Sequence, residues 1–210
     1  MTQKTLTLLT FEQFLQQYPE DGGKYELHQG EIVEMRPIGA HEKVAALIAR
    51  KLDVEIERLS LPYFIPRSCL VKPKREGEGY LPDIIVLDEK AIEIDPYWQK
   101  YSTISLGNSA QLVIEVVSTN WQDDYLTKLA EYEKLGIPEY WIVDYRALGG
   151  IRYLGSPKIP TIWIYQLVED EYGEVKMFRD NDLIKSSTFP ELNLTAQQIF
   201  QAGNYNKSQS

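Results

Sequence analysis

The chain has 210 residues, of which 43% are hydrophobic and 25% are charged, values typical of one globular domain. Its 31 acidic and 22 basic residues give a net charge of −9, which excludes a uniformly basic nucleic-acid-binding surface. The single cysteine, Cys69, excludes an intrachain disulfide and a four-thiolate zinc site, and its apolar neighbours predict a buried thiol. The sequence lacks long apolar stretches and a secretion signal, so we expect no membrane contact and a cytoplasmic location.

The first third of the chain predicts a helix, a hairpin and a second helix. The Thr-x-x-Gln pattern at residues 10–13 is typical of a capping box that begins a short helix. Strand-like runs at 25–27 and 32–35, with His28-Gln29-Gly30 between them, indicate a β-hairpin. Apolar residues at spacings of three and four then predict a helix from about residue 40 to 59, with His41 on the inward side of its first turn.

The middle of the chain predicts buried strands joined by a helical crossover. Residues 81–87 and 111–117 are almost continuously apolar, as in strands covered on both faces, and residues 88–108 between them look irregular. A helix over 122–135 ends before a glycine and a proline, and 139–144 is the next strand. Strand, helix and strand in this order imply a parallel crossover, so we predict an α/β fold.

The last third predicts a strand meander and a closing helix. Strands are expected at residues 151–153, 161–167 and 175–178, a hairpin turn at 171–174 and a helix at 195–200. We predict a single domain over residues 1–203 and a flexible tail over 204–210.

Two acidic residues interrupt the apolar strands, Asp83 at the start of the first and Glu115 within the second. A buried carboxylate must be paired, hydrogen-bonded or bound to a cation, and two carboxylates on neighbouring strands repel each other. Mg²⁺ relieves this repulsion and prefers one or two carboxylates together with water and phosphate oxygens. The pattern therefore indicates a metal site for phosphodiester chemistry, with solvent-facing acids or ion-pair partners as the alternative.

Lys128 is the candidate for the positive group that such a site needs. It lies on the helix that follows the strand of Glu115, but Asp124 stands four residues earlier, so a solvated ion pair on the helix is the alternative. Basic residues cluster tightly only at Lys72, Lys74 and Arg75, which we interpret as a solvated loop. Packing of the helix against the sheet is expected from Tyr132, Tyr140 and Trp141.

Several motifs occur together in a fixed order. They are Tyr25-Glu26-Leu27, Gly30-Glu31-Ile32-Val33-Glu34-Met35, His41, Pro82-Asp83, residues 112–118, then Asp124, Lys128, Tyr132, and the segments 136–144 and 187–192. Over nearly its whole length, the chain resembles the Uma-type family of restriction-endonuclease-like proteins. This resemblance implies the PD-(D/E)XK nuclease-like fold, a mixed central β-sheet flanked by helices in a single domain.

The resemblance also implies a magnesium-dependent (or manganese-dependent) endonuclease with nucleic acid, expected to be DNA, as its substrate. It implies that Asp83 and Glu115 bind the metal. The lysine of the motif should stand two residues after the acid, where this chain has Val117, and the resemblance implies that Lys128 replaces it. Glu26 and His41 also belong to the pattern, although a satisfied structural histidine is the alternative for His41.

Three functions are compatible with these residues. The first is the magnesium-dependent nuclease, and the second is a catalytically inactive nuclease-fold module that binds nucleic acid or protein. The third is glycoside hydrolysis by two carboxylates, which gives Lys128 no obvious role. By analogy with nucleases that cut both strands of a duplex, we also expect a homodimer.

Overall fold

The computed structural model describes residues 8–203, and the tail predicted at 204–210 lies outside them. The helices are α1 (Phe11–Gln16), α2 (Gly39–Leu59), α3 (Trp98–Tyr101), α4 (Leu129–Leu135), α5 (Ile151–Leu154) and α6 (Ala196–Gly203). The strands are β1 (Lys24–His28), β2 (Glu31–Met35), β3 (Tyr63–Phe64), β4 (Leu70–Val71), β5 (Ile84–Asp88), β6 (Thr103–Ile104), β7 (Ala110–Val116), β8 (Glu139–Asp144), β9 (Thr161–Val168) and β10 (Glu171–Phe178). Tight 3₁₀ turns occupy Ala91–Ile94 and Gly107–Ser109, and a wider π-helical segment, Asp123–Lys128, leads directly into α4.

A six-stranded mixed sheet in the order β10-β9-β8-β7-β5-β3 forms the centre of the fold. β7 and β8 run parallel, as the crossover predicted, and the other neighbours in this sheet are antiparallel. The strands β1 and β2 form the predicted hairpin, while β4 and β6 form a separate parallel pair. The α/β fold class, with a mixed sheet flanked by helices in a single domain, is therefore confirmed.

Each face of the sheet has its own hydrophobic core. On one face, the apolar stripe of α2 (Val44, Ile48, Leu52) and the helix α6 cover the sheet. The π segment and α4 cover the other face, where Tyr132 and Tyr140 are fully buried. Burial of a large apolar side chain contributes roughly 1.5–3 kcal/mol, so these two cores fix the sheet between the helices.

Alternation along β7 decides where its charged residue lies. Leu112, Ile114 and Val116 pack in the core beneath α2, and Val113 and Val117 pack in the core beneath α4. Because successive side chains of a strand point to opposite faces, Glu115 shares the face of α4.

Four sequence-based expectations need correction. Residues 151–153 belong to α5 because Tyr153 and Leu154 donate backbone hydrogen bonds to Gly150 O, which closes a helical turn. The turn between β9 and β10 lies at residues 169–170, and residues 171–174 instead contain an irregularity at the start of β10. Trp141 packs on the α2 face, opposite Tyr132 and Tyr140. Residues 88–108, expected to be irregular, contain the two 3₁₀ turns, α3 and β6.

Cys69 is 2% exposed, which confirms the buried thiol. The expected solvated basic loop is correct for the exposed Lys74 and Arg75, but Lys72 forms an ion pair with Glu12 at 2.7 Å. Within residues 8–203, no helix combines the length and hydropathy that crossing a membrane requires.

Candidate active site

A cavity of about 250 Å³ lies at the edge of the sheet where β7 and β8 end. β5 runs antiparallel to β7 and therefore begins at this same edge. The cavity is lined by the predicted residues Asp83, Glu115, Lys128 and His41, together with Asp124. Glu26 lies beside the cavity, in contact with Lys128.

The two predicted metal ligands lie next to each other at the sheet: Glu115 belongs to β7, and Asp83 immediately precedes the neighbouring strand β5. Ile84 of β5 faces Ile114 of β7, and continuing this antiparallel register by one residue sets Asp83 opposite Glu115. Pro82 has no N–H group, and the N–H of Leu81 donates to Glu26, so β5 begins only after Asp83. Asp83 Oδ2 accepts a hydrogen bond from the N–H of Val116 at 2.8 Å, which ties its carboxylate to the end of β7.

His41 links α2 to the same strand ends. Its Nε2 donates to the carbonyl oxygen of Val116 at 2.8 Å and lies 3.2 Å from Asp83 Oδ2. The side chain points inward, as predicted from its position in the first turn of α2. Burial lowers the pKa of His41, but the hydrogen bond and negative charge of Asp83 outweigh burial and raise it above its ordinary value.

Lys128 lies among carboxylates and is almost completely buried. Its Nζ is 3.0 Å from Glu26 Oε1, 3.1 Å from Glu115 Oε1 and 3.8 Å from Asp124 Oδ1. The π segment that ends at Lys128 packs against the face of the sheet that carries Glu115. A solvated ion pair with Asp124 is therefore wrong, since the lysine side chain is only 5% exposed.

The acids around Lys128 differ in how well their charge is compensated. Burial raises the pKa of Glu26, but the ammonium of Lys128 and hydrogen bonds from His28 and the Leu81 N–H lower it to about 2. Burial raises the pKa of Glu115 well above its ordinary value; Lys128 lowers it only in part, and the charge of Asp83 raises it further. Glu26 is therefore ionised near neutral pH. Glu115, by contrast, has too little positive charge around it to stabilise its ionised form.

The ionised carboxylate of Asp124 is likewise surrounded by too little positive charge. It is 6% exposed, and burial raises its pKa to about 7 against the lowering effect of Lys128. With Glu26, Asp83 and Glu115 it makes four carboxylates that act on a single lysine. A divalent cation would supply the missing positive charge.

The donor set fits a divalent cation that keeps several water ligands. Within residues 8–203, no three His, Cys, Asp or Glu side chains form a preassembled metal site. In the same part of the chain, the hydrogen bonds and ion pairs of Asp83 use Oδ2 and those of Glu115 use Oε1, which leaves one oxygen of each carboxylate for a cation. Two carboxylates with water in the remaining positions match the coordination that Mg²⁺ prefers.

Two features of this site were not predicted from the sequence. The hydroxyl of Tyr132 donates to Glu115 Oε1 at 2.8 Å, a contact signalled only by the spacing of Tyr132 one turn after Lys128. The cavity rim also carries basic side chains from four separate segments, and no local cluster in the sequence indicates them. They are Lys24, Arg36, Arg67 and Arg146.

Comparisons with known proteins agree with this architecture. The sequence profile of the Uma2 family, described as "Putative restriction endonuclease", matches residues 11–197. A crystal structure from Anabaena variabilis ATCC 29413, described as "a putative nuclease belonging to DUF820", has a TM-score of 0.67 and 18% sequence identity. That alignment covers 93% of this chain and 99% of the other, and at this identity it shows a common fold. No curated protein sequence matches the chain.

Proposed function

The chain belongs to the Uma2 family, and from this premise we propose that it hydrolyses phosphodiester bonds in nucleic acid with the help of Mg²⁺ or Mn²⁺. The observation that carries the proposal is the convergence of Asp83, Glu115 and Lys128 at one cavity, with Lys128 Nζ 3.1 Å from Glu115. The family is described as "Putative restriction endonuclease" and the similar protein from Anabaena variabilis as "a putative nuclease", which supports the same class of substrate.

In this proposal Asp83 and Glu115 would hold the divalent ion. Its chemistry there would be to polarise the phosphodiester and to lower the pKa of an attacking water. The strand register sets the distance between the two ligands, because β5 and β7 begin and end at the same edge. Tyr132 positions Glu115 by its hydrogen bond, and His41 positions Asp83 and the carbonyl of Val116. His41 is thus a positioning residue.

Lys128 supplies positive charge beside Glu115. The position two residues after Glu115 holds Val117, which is buried in the core beneath α4. The ammonium of Lys128 instead reaches Glu115 from the helix that packs over the sheet. There it can stabilise the negative charge that develops on the phosphoryl oxygens as water attacks. Glu26 keeps this ammonium charged and in place through its 3.0 Å contact.

A cleavage assay with a panel of labelled oligonucleotides tests the proposal. The panel contains duplex DNA, single-stranded DNA and RNA, each incubated with Mg²⁺, Mn²⁺ or a chelator. We expect cleavage of at least one substrate that requires the metal and is lost in Asp83→Asn and Lys128→Met. Asp53→Asn, an exposed position on α2, is the matched control and should cleave like the wild type.

Two outcomes would contradict the proposal. Cleavage that persists in Asp83→Asn would assign the chemistry to other residues or to a contaminant. Binding of an oligonucleotide without cleavage under any metal condition would instead support a catalytically inactive module of the same fold.

A further inference from the structure

An acid-free stretch of the chain borders the candidate active site. From Tyr145 to Val168 the sequence contains Arg146, Arg152 and Lys158 but no aspartate or glutamate, although the whole chain has a net charge of −9. Tyr145 and Arg146 line the cavity, and the chain continues from them through α5 towards β9. The stretch itself is therefore positively charged, opposite in sign to the whole chain.

Polar contacts hold this stretch in one conformation. The buried carboxylate of Asp144 accepts a hydrogen bond from the N–H of Gly149 at 2.7 Å. Lys158 Nζ donates to the carbonyl oxygen of Gly149 at 2.8 Å, and Arg179 donates to that of Leu154 at 2.8 Å. These contacts tie the backbone between Arg146 and Arg152 to neighbouring elements, which reduces the backbone entropy lost when a partner binds.

The two arginines of this stretch keep their charge available. Arg146 and Arg152 are both exposed, and no carboxylate within residues 8–203 forms an ion pair with either guanidinium. By contrast, Lys24 and Arg36, which also line the cavity, form ion pairs with carboxylates at 3.3 and 2.6 Å. Within residues 8–203, Arg67 and Arg146 are therefore the arginines of the cavity lining that no carboxylate pairs, and Arg152 adds a second unpaired guanidinium on the acid-free stretch.

We propose that residues 145–158 bind the sugar–phosphate backbone of the nucleic acid, with Arg146 and Arg152 contacting phosphates next to the bond that enters the cavity. This proposal rests on the proposed function. An acidic protein needs a local positive surface to hold a polyanion, and arginine suits phosphate because its planar group donates two parallel hydrogen bonds. Contacts to phosphates alone carry no base information, so this surface binds nucleic acid independently of sequence.

Fluorescence anisotropy with a labelled DNA duplex and a labelled single strand tests the surface. Binding is measured in a chelator, which prevents metal-dependent cleavage, across a series of NaCl concentrations. The proteins are the wild type, Arg146→Gln, Arg152→Gln and the control Lys90→Gln. Lys90 is exposed and follows the end of β5 opposite to Asp83, outside the cavity lining.

Each arginine variant should bind about tenfold more weakly near 50 mM salt, and the slope of log K against log[salt] should fall by about 0.7–0.9. Lys90→Gln should match the wild type. Circular dichroism melts verify folding, and Arg152, whose side chain lies outside the cavity, gives a second test if Arg146→Gln is unstable.

The results separate this surface from the proposed hydrolysis. If the wild type shows metal-dependent cleavage but both arginine variants keep the wild-type affinity and salt slope, the proposed binding surface is wrong and the proposed hydrolysis stands. Weakened binding in both variants without any cleavage would support the surface and contradict the hydrolysis. If the wild type binds no oligonucleotide at low salt, the proposal that residues 145–158 bind the sugar–phosphate backbone is wrong.

Discussion

Substitution of Asp124 by asparagine should stabilise the metal-free protein at alkaline pH. Asp124 is 6% exposed, and its carboxylate lies 3.8 Å from Lys128, an ammonium that Glu26 and Glu115 approach more closely. Asparagine has nearly the same shape and no charge. The substitution therefore removes one of the charges that this buried cluster compensates poorly, without creating a cavity.

The magnitude follows from the pKa of Asp124, which burial raises from 3.8 to about 7. Because this carboxyl group holds its proton more tightly in the folded protein than in the unfolded chain, the folded protein loses stability as pH rises from about 4 to about 7. At about 1.4 kcal/mol per pKa unit, the loss at pH 8 approaches about 4 kcal/mol. Asp124→Asn should recover up to this amount at pH 8 and almost none near pH 4.

Urea denaturation in the presence of a chelator measures this effect at several pH values between 4 and 8. The exposed residue Asp53 on α2 provides the control, and Asp53→Asn should leave the pH profile of the wild type unchanged. A free energy of unfolding that changes equally at all pH values, or a loss of stability that is largest at pH 8, would refute the excess of negative charge inferred around Lys128.

Three further substitutions or reactions test other contacts of the fold and the site. Lys128→Met should lower the free energy of unfolding by about 3–5 kcal/mol at pH 7, because it leaves buried carboxylates without their cation, and urea denaturation checks this. Tyr132→Phe removes the hydroxyl that donates to Glu115 and should cost about 1.5–3 kcal/mol in the same assay; an unchanged stability would contradict the 2.8 Å hydrogen bond. Burial raises the pKa of the Cys69 thiol to about 12, so a thiol reagent at pH 8 should label it only after unfolding, and rapid labelling of the native protein would contradict its burial.

Long segments with consistent signals were predictable from the sequence. The 21-residue helix α2 has an unbroken apolar stripe, and β7 and β8 are long, apolar and separated by one helix with clear end signals. The prediction failed where a short segment is compatible with more than one type of secondary structure. Residues 151–153 resemble a strand in composition, but the backbone hydrogen bonds to Gly150 close a turn of α5 instead.

The meeting of Asp83 and Glu115 at the candidate site was predictable because charge in an apolar strand is costly. Asp83 and Glu115 stood out for this reason, and the strand register brings them to one edge. The role of Asp124 could not be predicted, because the sequence shows an ordinary helical pair with Lys128 and only the fold buries both side chains. The rim arginines were equally hidden, since Arg36, Arg67 and Arg146 come from distant segments that meet only in the folded chain.

The central claim is that Asp83 and Glu115 hold a divalent cation in the cavity. Isothermal titration calorimetry with Mn²⁺ and Mg²⁺ tests it most directly, because it requires no knowledge of the substrate, and thermal unfolding of each variant verifies that the fold is intact. The claim predicts saturable binding to the wild type that is lost in both Asp83→Asn and Glu115→Gln. Equal binding by all three folded proteins would contradict it, because the ligands would then lie elsewhere.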